Sequence, residues 1–428
     1  MKYLTVALYH PRVLRGGAQY VAKDLHDAAS KTLGVDAIML ACIDGNMFPK
    51  YGKVGASITS LPDSPKEFIM AGQRFQDFYH VVYDKRRNKA LTRFLLDQKP
   101  DVIHFHHSLW VGLEFIELAR KVLPNVKIIY TLHEYMAICH SRGQLFRYNE
   151  SSICMDSSPD QCNKCFPEIS TDDFYLRRRT FQRAFRFVDH FISPSEYLKQ
   201  RFVDWGIDDE KITVVHNGHQ PNRPKGWQAT HSNNLNVFGF FGQFVDAKGI
   251  DVLLKAAVLA SEETPVEIKI FGGNKQYASP EYVSRIEDIL SGNTENLKIT
   301  EVGPYSRNNV FDLMSTVDWV VVPSVWPETF GLVVSEAWDA KRPVIASRAG
   351  GLTERIKDGV NGFSFLPGSD IQLATILKNC IGNFELWRRL VDKMKDEITL
   401  EVAWKQHLQV VNAIRQPSEQ TGKAIESI

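Results

Sequence analysis

Residues 323–354 read PSVWPETFGLVVSEAWDAKRPVIASRAGGLTE and follow the apolar run WVVV. The run is typical of a short buried strand, and a helical pattern begins near Gly331. A loop that carries Glu328 joins the two, and Gly350 with Gly351 forms the next strand-to-helix turn. A buried strand, a short loop and a helix in succession indicate a parallel sheet that is covered by helices on both faces.

The same alternation of apolar strands and amphipathic helices extends over the chain in two series. The first series predicts a domain over 1–217, and the second predicts a domain over 235–395. The segment 218–234 between them is polar and contains Pro221 and Pro224, so we interpret it as a linker. With 428 residues the chain is also longer than the ~250–300 residues at which single cores stop growing.

We therefore predict an α/β fold of two doubly wound parallel-sheet domains that face a cleft. In such sheets, ligands bind outside the carboxyl ends of the strands. The stretch 385–415 has a helical pattern. A C-terminal helix at 396–416 is predicted to pack back toward the first domain, and 417–428 is predicted to be a frayed tail.

Composition argues against several classes of protein. Basic side chains number 51 against 50 acidic ones, so no global field favours nucleic acid as a partner. No apolar run approaches the ~20 residues that a membrane-spanning helix requires. The N-terminal MKYLTVALYH is too short and too polar for a secretory signal and predicts a first buried strand. We expect a cytoplasmic protein.

Two carboxylates and a lysine form the candidate site of the second domain. Seven residues separate Glu328 from Glu336, so the two carboxylates can hold different parts of one elongated ligand. The helix that begins near Gly331 offers free backbone N–H groups, which suit a phosphate or sugar oxygen. In FFGQFVDAKGIDVLLKAA, Lys248 sits just before another helix and could neutralise phosphate charge, while Gly242 permits a sharp exit from the strand. Taken singly, a glutamate at a helix start or a lysine in a loop is often only a solvated charge.

These motifs resemble those of glycosyltransferase family 4, whose members have the GT-B fold of two Rossmann-like domains. The Glu-x7-Glu motif of that family matches Glu328–Glu336, and its glycine-to-KG segment matches Gly242–Gly249. Matches in the first half are GGAQ at Gly16–Gln19, DVIHFHH at Asp101–His107, TLHEY at Thr131–Tyr135, SPSEYL at Ser193–Leu198 and VVHNG at Val214–Gly218. The resemblance covers nearly the whole chain.

The resemblance implies a retaining glycosyltransferase with a UDP- or GDP-sugar donor. By resemblance, Glu328 lies beside the anomeric centre of the donor sugar, Glu336 holds the ribose hydroxyls and Lys248 binds the diphosphate. The remaining donor contacts would come from a glycine loop of the first domain and from backbone amides of the second, at Gly16, Gly17, Thr329, Phe330, Gly331 and Leu332. No metal is required for the chemistry that the resemblance implies, because Lys248 and the helix amides supply the electrostatic stabilisation.

One position departs from the family pattern. The family usually has arginine six residues before the glycine of KG, and this chain has Gln243. Glutamine keeps hydrogen-bonding capacity but lacks the fixed charge and the bidentate geometry of arginine. Arg15 and Arg348 are candidates for a substitute cation, and a weakened or inactive member remains an alternative.

His133 is the predicted acceptor-side catalytic residue. It follows a strand at the end where ligands bind, and it corresponds to a family histidine near the donor sugar. A structural histidine at the strand end is the alternative. His104 and His106 share one face of the preceding strand and His107 the other, so a metal trio is conceivable but satisfied polar residues are favoured.

Four of the six cysteines cluster in an insertion at about 139–165, which suggests a structural metal site. Two of them have the C-x2-C spacing that suits a tetrahedral zinc ligand pair. The candidate ligands are Cys139, Cys154, Cys162 and Cys165, with His140 as a possible substitute. Unligated thiols or disulfides are the alternatives, because the first spacings are long and irregular.

The acceptor is the part of the reaction that the sequence defines least. By resemblance it is a glycan or a lipid-linked glycan in polysaccharide biosynthesis. Basic runs at 85–89 and 177–186 allow a peripheral contact with the inner face of the cell membrane, against the alternative of solvated helix faces. A nucleotide-sugar epimerase of the same fold and a non-catalytic sugar-nucleotide-binding protein are the competing functions.

Overall fold

The computed structural model describes residues 1–52, 56–72, 74–147, 149–273, 276, 278–292, 295–394 and 396–415. The predicted tail at 417–428 lies outside these residues. The strands are β1 (Lys2–Leu8), β2 (Asp36–Asp44), β3 (Ile58–Leu61), β4 (Ser64–Gly72), β5 (Phe75–Gln76), β6 (Val81–Val82), β7 (Val102–Phe105), β8 (Lys127–Thr131), β9 (Phe146–Arg147), β10 (Ser152–Ile153), β11 (His190–Ser193), β12 (Ile212–Val214), β13 (Val237–Phe241), β14 (Val266–Phe271), β15 (Leu297–Gly303), β16 (Trp319–Val322), β17 (Val344–Ser347) and β18 (Gly362–Phe365).

Helices alternate with these strands along the chain. They are α1 (Gly17–Ser30), α2 (Phe48–Tyr51), α3 (Lys85–Gln98), α4 (Glu114–Val122), α5 (Pro159–Cys165), α6 (Thr171–Phe185), α7 (Glu196–Trp205), α8 (Ile250–Ala260), α9 (Pro280–Ser291), α10 (Val310–Met314), α11 (Leu332–Asp339), α12 (Leu352–Arg355), α13 (Asp370–Cys380), α14 (Phe384–Lys393) and α15 (Leu400–Arg415). Short 3-10 turns occupy Asp209–Lys211 and Asp246–Lys248.

The first half of the chain builds an eight-stranded sheet in the order β12-β11-β8-β7-β1-β2-β4-β3. All neighbours in this sheet are parallel except β3, which pairs antiparallel with β4. The predicted parallel sheet thus carries one antiparallel strand, at this edge. A two-residue link between β3 and β4 makes a hairpin, and so short a link cannot make a parallel crossover.

The second half builds a six-stranded parallel sheet in the order β15-β14-β13-β16-β17-β18. The inner strands β13, β16 and β17 are buried at every position, because helices cover both faces. In both sheets the strand order reverses direction next to the first strand of the series, which is β1 or β13. At such a point the loops at the carboxyl ends separate and open a ligand-binding crevice.

The C-terminal region, which has a helical pattern over 385–415, forms two helices with a break between them. Helix α14 ends where Met394 adopts an extended backbone, and α15 begins at Leu400. The intervening strand-like segment runs beside the linker: His219 accepts a hydrogen bond from the Leu400 N–H and donates its own N–H to the Ile398 carbonyl, at 3.2 and 2.9 Å. The break is needed because the chain leaves the second sheet here and returns to the first.

Helix α15 packs on the first sheet rather than on the domain that precedes it in sequence. Trp404 is 4% exposed, meets the ring of Tyr3 edge-on at 5.4 Å between centroids, and donates from Nε1 to Thr32 Oγ1 at 2.8 Å. Val410 and Val411 belong to the same buried cluster. The second half of the chain thus supplies part of the core of the first domain.

We expect Trp404→Ala to lower the free energy of unfolding of the first domain by about 3–5 kcal/mol, which is typical of a truncated buried aromatic. Denaturant unfolding followed by tryptophan fluorescence and circular dichroism measures the change. Phe384→Ala, which truncates an aromatic ring that is 41% exposed, is the matched control and should change stability little. Equal losses in the two variants would contradict the packing role of Trp404.

Candidate active site

A buried ion pair joins two strand-end loops of the second domain. Lys248 Nζ lies 2.6 Å from Glu328 Oε1, and Glu328 is 7% exposed. Ser324 Oγ donates to the same oxygen at 2.6 Å and Trp326 Nε1 donates at 3.0 Å. The Lys248 ammonium also lies 5.2 Å from the centre of the Trp326 ring. Three donors converge on one carboxylate oxygen, so the side chain is held in a single orientation.

Two glycines allow these loops to pack so closely. Gly249 has φ +67°, and a Cβ on it would lie 2.1 Å from the carbonyl oxygen of Pro323. Gly350 has φ +64°, and a Cβ there would lie 2.2 Å from the carbonyl oxygen of Glu328. A side chain at either position would separate the loops, because both the space and the left-handed backbone favour glycine.

Helix α11 begins beside the ion pair and carries the second carboxylate. Its N-cap is Gly331 at φ +85°, and no side chain caps the helix. The first backbone N–H groups therefore remain directed at whatever lies before the helix, together with the positive end of its dipole. Burial raises the pKa of Glu336 to about 7, and the nearby His219 and Arg307 lower it in part.

The glycine loop of the first domain meets this helix directly. Gly16 is the N-cap of α1, and a Cβ on Gly17 would lie 3.2 Å from Leu332 Cδ1. An ion pair between Arg307 and Asp24, 2.6 Å long, closes the same seam. The predicted donor loop and the predicted donor helix are thus neighbours across the two domains.

A second seam lies at the start of α7 in the first domain. Ser195 Oγ donates to the Thr329 carbonyl at 2.7 Å. The carboxylate of Glu354 accepts the backbone N–H groups of Glu196 and Tyr197 at 3.0 and 2.6 Å. A carboxylate from one domain therefore satisfies two free N–H groups at a helix start in the other.

His133 lies at the carboxyl end of β8 in a row of histidines. Its Nε2 is 2.9 Å from His106 Nδ1, and the two rings are stacked. Burial lowers the pKa of His133 to about 3, so the ring is neutral at physiological pH. Two residues on, the ring of Tyr135 meets Trp326 edge-on at 6.5 Å between centroids. This contact brings the His133 segment across the cleft to the Glu328 loop.

The structure does not support a metal trio at His104, His106 and His107. His104 lies between Tyr3 OH and Thr131 Oγ1, each 2.6 Å from a ring nitrogen. Among the residues that the structure describes, these histidines do not form a group of metal-ligand atoms within 4.8 Å of one another. His104 instead fits the alternative of a polar residue on the strand whose ring nitrogens are hydrogen-bonded to neighbouring side chains.

Two residues of the site were missed by the sequence reasoning. Trp326 orients Glu328, and only its position in the SVWPE segment could have signalled this. Arg307 is a cation beside Glu336, and nothing local in its sequence marks it. Gln243, Arg15 and Arg348 are all exposed, so a substitute for the missing family arginine remains a prediction.

The four cysteines of the insertion are free and partly exposed, and they line one small cavity. This cavity lies beside α6 in the first domain, away from the ion pair of Lys248 and Glu328. His140 lines the same cavity.

Comparisons with known proteins agree with this architecture. The model of Glycosyltransferase Family 4 matches residues 15–223, and that of Glycosyl transferases group 1 matches residues 224–396. An uncharacterised glycosyltransferase of Methanocaldococcus jannaschii is 28% identical over 382 residues, which are 86% of this chain and 95% of that protein. A D-inositol 3-phosphate glycosyltransferase of Mycobacterium leprae is 35% identical over 271 residues.

The mycobacterial alignment spans 61% of this chain and 56% of that enzyme, so the chain matches little more than half of its length. Among solved structures, Anabaena HepE in complex with UDP aligns with a TM-score of 0.67 at 18% identity, over 96% of this chain and 100% of that one. At this identity the likeness concerns the fold. The two family models together span nearly the whole described chain, and the chain belongs to the family 4, group 1 glycosyltransferases with the GT-B fold.

Proposed function

We propose that the protein is a retaining glycosyltransferase that moves a sugar from a UDP- or GDP-sugar to a glycan or lipid-linked acceptor in polysaccharide biosynthesis. The observation that carries the proposal is the buried ion pair of Lys248 and Glu328, which lies beside an uncapped helix start and faces the first domain. The Lys248 ammonium and the free N–H groups suit the negative charge of a nucleotide diphosphate, and the Glu328 carboxylate suits the attached sugar.

The diphosphate is the part of the donor that Lys248 would bind. Its side chain is 28% exposed, so Nζ can turn from Glu328 toward an incoming phosphate without leaving a closed core. The backbone N–H groups of Thr329, Phe330, Gly331 and Leu332 would add donors at the helix start. Ser324 and Trp326 would keep Glu328 oriented after Lys248 has moved.

We favour UDP over GDP as the nucleotide of the donor because HepE was solved with UDP and with UDP-glucose. Glu336 would accept hydrogen bonds from the ribose hydroxyls, since it is a partly buried carboxylate one turn into α11. Gly16 and Gly17 would approach the phosphates from the first domain, because the Gly17 backbone already lies against Leu332.

The chemistry requires that negative charge on the leaving β-phosphate be stabilised. Lys248 and the helix amides supply this stabilisation, and no metal takes part in the proposed step. The acceptor attacks on the face from which the nucleotide leaves, a phosphate oxygen takes the acceptor proton, and the anomeric configuration is retained. A covalent intermediate on Glu328 is the less favoured route.

His133 would act on the acceptor side. The ring is neutral because burial lowers its pKa, and its contact with His106 fixes its orientation. A neutral imidazole can accept or donate one hydrogen bond to a sugar hydroxyl without adding charge to the cleft. Glu134 beside it is partly buried, and desolvation raises its pKa to about 7.

Helix α6 offers a surface for a lipid-linked acceptor. Its exposed face carries Tyr175, Leu176, Arg179 and Arg183, whereas Arg177 points into the core. No helix of the described residues has both the length and the hydropathy to cross a bilayer. The proposed membrane contact is therefore peripheral and electrostatic.

Product analysis separates this proposal from its two alternatives. A transferase releases free UDP in step with acceptor consumption, whereas an epimerase converts UDP-glucose to another UDP-sugar without acceptor. A non-catalytic binding protein would bind UDP-glucose and show neither transfer, epimerisation nor slow hydrolysis.

We expect Glu328→Gln and Lys248→Met each to lower kcat by about 10²–10³, because each removes a charge beside the reacting bond. Transfer or donor hydrolysis is followed by UDP release. Lys255→Met and Glu262→Gln make the same charge changes at exposed positions of the second domain and should leave kcat unchanged. Wild-type rates in both site variants would contradict the assignment.

Donor affinity should also depend on pH through Glu336. Because burial raises its pKa to about 7, the carboxylate is protonated below that pH and loses the negative charge that strengthens its hydrogen bonds to the ribose hydroxyls. Affinity for UDP-glucose should therefore fall as pH falls from 8 to 6, by about five- to tenfold from the change in ionised fraction. The side chains of His219, Arg307 and Tyr305 lie near the same carboxylate. The pH dependence must therefore be compared between the wild type and a variant that lacks the Glu336 carboxylate.

Calorimetric titration with UDP-glucose measures this dependence. UDP-glucose is preferred to UDP because its terminal phosphate is esterified and lacks the second ionisation near pH 6. Glu336→Gln should bind more weakly at pH 8 and show a flat profile. A wild-type slope that persists in Glu336→Gln would assign the pH dependence to another group.

A further inference from the structure

The four cysteines of the insertion come from three separate segments and face one cavity. Cys139 follows the His133 segment, Cys154 follows β10, and Cys162 and Cys165 lie one turn apart on α5. Residues three apart on a helix share a face, so the two α5 thiols project together. None of the four forms a disulfide.

The insertion has little apolar material of its own to hold it together. Helix α5 has no buried residue, and strands β9 and β10 are two residues each and only partly buried. A segment of this size with so small a core usually requires a covalent or metal crosslink. Four thiols at the centre of such a segment are the obvious crosslinking groups.

Arg177 of α6 adds an independent observation. It is 4% exposed, stacks on Phe181 at 4.8 Å, and donates to the carbonyls of Met136 and Ala137. Its Nε is buried without a hydrogen-bond partner, and within the described residues no carboxylate oxygen lies within 4 Å of its guanidinium. Burying a cation without an ion pair is costly, so this position favours an anionic neighbour.

The neighbours of Arg177 include two of the four cysteines, Cys139 and Cys162, together with Glu134 and Asp77. A metal–thiolate centre at these cysteines would place negative charge beside the guanidinium.

We propose that Cys139, Cys154, Cys162 and Cys165 bind one Zn²⁺ ion as four thiolates, and that Arg177 offsets part of the charge of this centre. Binding releases four thiol protons to solvent and leaves a centre of net charge −2. In the structure no three of these four sulfur atoms lie within 4.8 Å of one another, whereas ligand atoms of His26, Asp27 and Glu67 do form such a group. Rotation of the cysteine side chains about χ1 toward the shared cavity would complete the site at Zn–S distances of about 2.3 Å.

The group at His26, Asp27 and Glu67 carries no metal proposal. The ammonium of Lys23 lies 2.5 Å from Asp27 and 3.4 Å from Glu67, and His10 lies 2.7 Å from Glu67. The Lys23 ammonium already neutralises charge on the carboxylates that a metal ion would need, and His10 occupies one oxygen of Glu67.

The zinc centre would connect to the cleft through Arg177. The guanidinium holds the carbonyls of Met136 and Ala137, three and four residues after His133. A fixed metal centre would therefore fix Arg177 and, through it, the backbone that follows the acceptor-side histidine. This last link rests on the proposed function, whereas the metal site itself does not.

The test is the zinc content of the full-length chain, purified without a polyhistidine tag and without chelators. We expect one zinc per chain by elemental analysis. Replacement by Co²⁺ should give thiolate-to-cobalt charge-transfer and tetrahedral d–d absorption. The double variant Cys162→Ser/Cys165→Ser should lose both signals and melt at a lower temperature. Cys380→Ala, which removes a buried thiol from the second domain, is the control and should retain one zinc.

Arg177→Met tests the charge-offset role separately. Loss of a group that supports metal ligands typically weakens metal affinity about 10–100-fold, which competition with a chromogenic chelator measures. Arg177→Lys should recover part of that affinity. If the double cysteine variant does not fold, the cobalt spectrum of the wild type and of Cys165→Ser decides the question.

A zinc-free wild type with four free thiols, or one with disulfides detected by mass, would overturn the proposal, as would full zinc content in the double cysteine variant. None of these measurements depends on turnover, so a failure of the proposed glycosyl transfer leaves the zinc result interpretable. A zinc-free wild type that still turns over the donor would leave the proposed function standing, because the zinc content alone rejects the metal site.

Discussion

The ion pair between Lys248 and Glu328 is the interaction on which the candidate site depends. A carboxylate that is 7% exposed must be paired and hydrogen-bonded, and here three donors meet one of its oxygens. The pair fixes the loops after β13 and β16 relative to each other, and Gly249 and Gly350 let their backbones approach. Helix α11 then starts at a defined place, with its N–H groups directed into the crevice at the strand-order reversal.

The cleft exists because the two domains are linked more than once. The linker and the return segment before α15 hydrogen-bond to each other at His219, and α15 buries Trp404 in the core of the first domain. Closer to the site, the domains meet through a few polar contacts, among them the ion pair of Arg307 with Asp24 and the hydrogen bond of Ser195 with Thr329. A large apolar contact far from the site and a few polar contacts beside it suit a cleft whose mouth can adjust to a ligand.

Buried charge recurs as a theme in the first domain. Arg177 and the histidines near the cleft are removed from water, and burial keeps His133 and His107 neutral by lowering their pKa to about 3. The pKa of Glu336 in the second domain is shifted in the opposite direction, since burial raises the pKa of a carboxyl group. Both shifts favour the uncharged form of these groups, so a charged donor would meet a cleft in which Lys248 and Arg307 are cations and His133 adds no charge.

Sequence alone determined the class of fold, the two series of strands and the positions of Glu328, Lys248 and Glu336 on strand-end loops and the following helix. Those follow from apolar periodicity and from glycine and lysine at turns, which are local properties. It did not determine the antiparallel β3 edge or the break between α14 and α15. Both depend on which strand or domain the following segment packs against. Nor could it determine that Lys248 meets Glu328 across 80 residues, that Trp326 orients this carboxylate, that Arg307 lies near Glu336, or that Arg177 is buried near cysteines. Such pairings are set by sheet order and domain closure, and only the tertiary structure decides them, because distance along the chain carries no information about distance in space.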